Sequence, residues 1–169
     1  GLVGPGLAHY FLSAYLVRQF SVVWVVFAFE EDALLGRLSP YLLQPLHPLW
    51  RYGAAHLAEQ LTRLPFAAAI AALFFLVNPS AFWLPSPGAF LLAWLATLLA
   101  FTVAFLLQSL IAALCFWSEK ASAMERLLAG LPVSIAAGFA AQLAWIALLL
   151  PAVLLLWRAG VRRYTAMGA

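Results

Sequence analysis

Glu30, Glu31 and Asp32 stand side by side and form the densest cluster of ionisable side chains in the sequence. Adjacent carboxylates are the raw material of a divalent-metal site, because hard cations take oxygen ligands. A helix turns about 100° per residue, so three consecutive carboxylates cannot all face one ion, and no second acidic motif offers further ligands. His9, His47 and His56 do not make the His-Glu-x-x-His pair of a zinc peptidase: His47 lies between Pro45 and Pro48, and His56 falls on the polar side of a helical pattern. Cys115 is the single cysteine, so neither a disulfide framework nor a thiolate cluster is available. No catalytic set and no metal-ligand set emerges. The remaining polar residues of interest are embedded in apolar runs: Arg18, beside Gln19, then Gln108 and Gln142. An arginine at the centre of a span costs about 2.5–3.5 kcal/mol on the insertion scale, which makes such residues candidates for a transport path. The competing expectation is that Arg18 snorkels or pairs with an acid of another span, and that both glutamines hydrogen-bond between helices.

The elements that must position these residues follow from composition. The chain has 169 residues, of which 66% are hydrophobic and 9% charged, against roughly 45–50% and 25% in soluble domains. That argues against a water-soluble globule and equally against disorder. A net charge of +3 is too small for a nucleic-acid footprint, and no nucleic-acid partner is expected. Four stretches meet or approach the length of a bilayer-crossing helix, about 20 residues: 10–29, 66–84, 89–117 and 131–157. They are rich in Leu and Ala without alternation, which fits helices and not the strands of an outer-membrane barrel. The expected fold is all-α, a polytopic helical membrane protein with one transmembrane domain over 1–169. The second stretch should end early, because Asn78 and Pro79 fall inside it and Pro85-Ser86-Pro87-Gly88 follows.

Basic residues orient the spans, since translocated loops avoid them. Residues 1–9 and 78–88 carry none, whereas 30–65 carry Arg37, Arg51 and Arg63, and 118–130 carry Lys120 and Arg126. The loops therefore alternate out, in, out, in. The tail, 158–169, holds Arg158, Arg162 and Arg163 and should also be cytoplasmic, yet one further span would place it outside. Either the last stretch re-enters without crossing, or the tail is translocated against its charge, or a span is missing between about Glu125 and Leu131. The third is favoured, because Gly130-Leu131-Pro132 joins two segments of different character. The chain also starts without Met or a basic signal-peptide region, as a trimmed chain would.

The expected cytoplasmic segment, 30–65, has two halves. Its acidic start leads into a short helix-competent piece interrupted at Gly36 and restarted at Ser39-Pro40, an N-cap followed by proline at the first helical position. After Pro45 and Pro48 a helical pattern runs to Leu64. Trp50, Leu57, Leu61 and Leu64 fall near one face and His56, Glu59, Gln60 and Arg63 on another, with Glu59 and Arg63 at i,i+4 spacing. On pattern alone this is an amphipathic helix lying in the headgroups and leading into the membrane.

Glu30-Glu31, Gly36-Arg37-Leu38-Ser39 and Leu42-Leu43-Gln44-Pro45-Leu46, followed by that helix and a span, resemble the cytoplasmic loop of type-2 ABC exporter permeases. The chain is most similar to a bacterial subfamily once catalogued as an uncharacterised permease, through Leu38–Tyr52, Ala55–Glu59, Phe116–Ala123 and Leu156–Gly168. Members of that family look like six-span proteins, with a first span ahead of the Gly1 region and a fifth span plus an external hairpin before the last. Both parts are absent here. The second gap falls at 126–132, the junction that the charge parity flags.

The resemblance implies a membrane subunit of the bacterial inner membrane. It would pair with a copy of itself or a second permease subunit and sit on two copies of a separate ABC ATPase. This chain has no Gly-x-x-x-x-Gly-Lys-Ser/Thr loop, and its lone lysine, Lys120, follows Glu119. ATP and magnesium would therefore sit on the partner, leaving this chain no cofactor and no enzymatic role. Glu30, Glu31, Asp32, Gly36, Arg37, Leu38, Ser39, Leu42, Leu43 and Pro45 would form the element that couples to the ATPase. Two other readings stay open: a polytopic lipid-modifying enzyme with a metal at the acidic triplet, and a non-transporting remnant of a permease.

Overall fold

Among the described residues, four helical stretches are long and apolar enough to cross a bilayer: His9–Leu34, Pro48–Val77, Pro87–Phe116 and Gly138–Arg163. They come from a computed structural model that describes residues 5–117 and 138–166. The described helices are α1 (Pro5–Ser21), α2 (Val25–Leu34), α3 (Leu38–Leu42), α4 (Pro48–Val77), α5 (Pro87–Ala113) and α6 (Gly138–Ala166), with 3-10 turns at Pro79–Ala81 and Leu114–Phe116. The protein is all-α and polytopic, with no strand among the described residues.

Four features differ from the sequence expectations. The first span, expected as one run over 10–29, is interrupted at residues 22–24. No glycine or proline marks the break. It falls within Val22-Val23-Trp24-Val25-Val26, where β-branched side chains lose rotamer freedom in a helix, so leaving the helix there costs little locally. The helix that carries the second span begins at Pro48, because the expected amphipathic helix and the span are one helix of 30 residues, about 45 Å long. His47 caps it, its Nδ1 accepting from the Leu49 N–H at 3.3 Å, and Pro48 fills the first position, where no donor is needed. The helix stops at Val77, the early end that Asn78 and Pro79 foretold.

The third difference is at α3. Arg37, not Ser39, occupies its N-cap, with φ −72° and ψ −11°. Gly36 has already reversed the chain at φ +70°, so helical geometry resumes early and Ser39 and Pro40 fall inside the first turn. The fourth is that α6 continues without interruption past Trp157 to Ala166, making 158–166 an extension of the helix. Lys120, Arg126, the junction at 126–132 and the start of the expected 131–157 span lie outside the described residues, as do 1–4 and 167–169.

α5 and α6 pack side by side and run parallel. Gln142 reaches Ala96, Val103 and Leu106 cluster with Leu149 and Val153, and the Phe116 ring stands 5.5 Å from Trp157. Phe116 and Gly138 therefore lie at opposite ends of the bundle. At the Phe116 end, the Phe29 ring meets Tyr52, Phe116 and Trp157 at 5.9, 5.6 and 5.2 Å, and His47 stacks on Trp157 at 5.0 Å. The basic end of α6 thus shares one end of the bundle with Arg37, Arg51 and the α2–α4 connection. Gly160 makes this packing possible, since a Cβ there would run into the Phe116 ring. The outer faces of α5 and α6 expose Leu91, Leu92, Leu148 and Leu155, the surface that a hydrocarbon solvent accepts.

Candidate functional site

A broken helix leaves its last carbonyls and first N–H groups without intrahelical partners, and in apolar surroundings each unpaired group is costly. At the 22–24 break those partners are side chains. From α4, the Gln60 amide donates to the Phe20 carbonyl at 2.8 Å, and Arg63 Nη1 donates to the Gln19 carbonyl at 3.3 Å. His56 Nε2 accepts from the Trp24 N–H at 3.2 Å. From α5, Gln108 Oε1 accepts from the Val26 N–H at 3.4 Å. His56, Gln60 and Arg63 lie at i, i+4 and i+7, so one face of α4 presents all three.

Glu59 braces this face. Its carboxylate pairs with Arg63, and Oε2 stands 3.6 Å from His56 Nδ1. Because His56 Nε2 accepts, the proton of the neutral ring belongs on Nδ1, facing Glu59. The Arg63 guanidinium meets the carbonyl end of α1, where a cation is favourable. The opposite face of α4 points outward: Trp50 and Leu61 are 71% and 66% exposed, while His56 is 8% exposed. The polar stripe turns inward, because the broken span supplies the groups it must satisfy.

α2 runs from the break to the acidic triplet, and there Arg37 bridges two of the three carboxylates, those of Glu31 and Asp32. Arg37 donates to Glu31 Oε1 at 2.7 Å through Nη2 and to Asp32 Oδ1 at 2.8 Å through Nε. Asp32 Oδ2 accepts from the Tyr52 hydroxyl at 2.9 Å. The hydrogen bond with Glu31, ahead of that with Asp32, raises the already high pKa of the Arg37 guanidinium. Among the described residues no three His, Cys, Asp or Glu side chains gather as a metal site, and Glu31 and Asp32 are engaged by Arg37.

Gly36 closes α2 in the left-handed conformation that terminates helices, its N–H donating to the Ala33 carbonyl at 3.3 Å. Leu38 is then buried and Leu42 packs on the same core, while Ser39 is half-buried and Pro45 exposed. Leu43 is 88% exposed, and Leu34, Leu35 and Leu46 are exposed beside it. Arg51 stacks over the Tyr41 ring at 3.9 Å. His47 is partly buried against Trp157, and that desolvation lowers its pKa.

The three polar residues expected along a transport path do not converge. Arg18 is exposed in the last turn of α1. Gln108 serves the break, and Gln142 Nε2 donates to the Ala96 carbonyl at 3.5 Å on the neighbouring helix. The sequence reading missed the clamp of His56, Gln60 and Arg63 and the Tyr52–Asp32 bond. The available signal was a polar stripe at helical spacing inside a helix continuous with a span. No family model, curated protein or solved structure matches the chain.

Proposed function

We propose that this chain is the membrane-spanning subunit of an ABC exporter of the bacterial inner membrane, in which the 35–47 connection faces the cytoplasm and receives the stroke of a separate ATPase. The observation that carries this reading is α2 itself. It is a rod of 10 residues, about 15 Å long. One end holds the charged, leucine-rimmed connection, and the other ends at a hinge held by side chains. A short rigid element between a docking surface and a hinge acts as a lever. Exposed Leu34, Leu35, Leu43 and Leu46 offer apolar anchors and Glu31 with Arg37 a polar rim, the anatomy of a protein interface. ATP and magnesium belong to the ATPase in this reading, and a second permease subunit completes the assembly.

The resemblance in residues 30–46 adds the identity of the partner class. The test is purification of the tagged full chain from its native membrane, with magnesium-dependent ATPase activity measured in the product. Wild type carries such activity, and Leu43→Glu, at a position with no packing to lose, reduces it at least tenfold with helical content unchanged. Wild type without co-purifying ATPase activity sinks the reading, and so does a fully active Leu43→Glu complex.

A further inference from the structure

On the side of the break away from the loop, α1, α4 and the first half of α5 line a half-open cavity of about 470 Å³. That lies within the usual range of small-molecule sites, about 300–1,000 Å³, and is roughly three times the 150 Å³ cavity that holds benzene. Its space comes from small side chains, Ala67 and Ala71 on α4 and Ala93 on α5, and its flat walls from Phe20, Trp83 and Trp94. Phe20 and Trp94 are 5.5 Å apart, ring to ring. Among the described residues no Asp, Glu, Lys or Arg lines it. Two of its few polar groups are already engaged, His9 Nε2 with the Ala81 carbonyl at 2.6 Å and Thr97 Oγ1 with the Ala93 carbonyl at 2.8 Å.

We propose that this cavity binds an uncharged small molecule with a flat aromatic ring system, taken from the membrane. The absence of charge in the walls excludes an ionic ligand, which would be buried without a counter-ion. An acyl chain has little reason to leave the bilayer for it, because lipid tails are as apolar as the walls. A ring system does, because offset stacking on indole and phenyl faces is a gain that lipid does not provide. Phe20 links the site to the hinge: its ring lines the cavity, and its carbonyl is the one that Gln60 holds. Binding needs no ATPase, so this site stands or falls separately from the transport reading.

The test photolabels the purified full chain in lipid nanodiscs with 3-trifluoromethyl-3-phenyldiazirine, an uncharged aromatic probe, and maps the adducts by mass spectrometry. Labelling of α1 and the first half of α5 around the cavity is expected to saturate and to fall at least fivefold with excess pyrene. Labelling at Leu148 and Leu155, on the outer face of α6, does not saturate. Ala71→Phe and Ala93→Phe, which fill the space, give the same fivefold loss. The competition in wild type decides the question if either variant fails to fold. Labelling that never saturates overturns the proposal, as does competition by methyl palmitate equal to that by pyrene, which identifies an acyl-chain groove.

Discussion

Replacing Gln60 by leucine tests the clamp most directly. The side chains are close in volume, so packing changes little, and what is lost is the amide that donates to the Phe20 carbonyl at 2.8 Å. A buried carbonyl left unpaired costs about 1–3 kcal/mol. Interhelical hydrogen bonds in bilayers measure less, about 0.6 on average and at most about 1.7 kcal/mol, because the unfolded chain in the membrane also finds partners. The Phe20 carbonyl lies at a helix end, where no backbone donor replaces the lost one, so the upper part of that range applies, about 1–1.7 kcal/mol. This corresponds to a shift of roughly 5- to 20-fold in the unfolding equilibrium. Titration with dodecyl sulfate in mixed micelles, followed by tryptophan fluorescence, measures it, and amide exchange across residues 22–26 should accelerate in parallel. The control is Leu61→Ala, at a site 66% exposed on the outer face, with an expected change within about 0.5 kcal/mol. A headgroup helix with its polar side in water would reverse the pair. If Gln60→Leu is neutral and Leu61→Ala destabilises, the inward-facing clamp is refuted.

Three further outcomes follow from the same end of the bundle. Tyr52→Phe removes the donor to Asp32 Oδ2 and should cost about 1.5 kcal/mol, the low end for a bond to a charged group because Arg37 still holds Asp32; the same titration reads it. Gly160→Ala drives a methyl into the Phe116 ring and should cost about 1–3 kcal/mol through overpacking, with Phe116→Leu recovering part of the loss in the double variant. His47 should impose a pH dependence: burial holds its folded pKa below the usual value, about 6.5 in the unfolded chain. Above that value both states are neutral and His47 contributes no slope. As pH falls through the unfolded pKa toward the lower folded one, the unfolded state takes up the proton first and stability is lost, because a protonated Nδ1 cannot accept from the Leu49 N–H. His47→Asn, which caps without titrating, should flatten the stability profile between about pH 7 and pH 5.

Much of the architecture was legible because bilayer spans announce themselves by length and hydropathy, which are local properties. Asn78-Pro79 ended α4 where a C-cap and a missing donor should end a helix, and Gly36 took the left-handed position that helix termination requires. The break in the first span was not legible. Valine-rich segments read as span, and nothing in residues 22–24 shows that the partners of the lost backbone bonds are 32 to 82 residues away. His56 carried a misleading local signal for the same reason: a polar stripe on a helix looks the same whether water or a broken backbone satisfies it.

The sequence by itself determined that this chain is a helical membrane protein with four apolar spans, a charged connection after the first and a basic end, because hydrophobicity, charge and turn residues act over one helix length. Tertiary structure alone decided which face of α4 turns inward, that α5 and α6 run parallel with the basic end of α6 beside the loop, and that Arg37 bridges Glu31 and Asp32 while Tyr52 bonds Asp32 from α4. Those outcomes depend on which side chains can satisfy unpaired backbone groups and fit between rings, and both conditions are set by distant segments meeting in space.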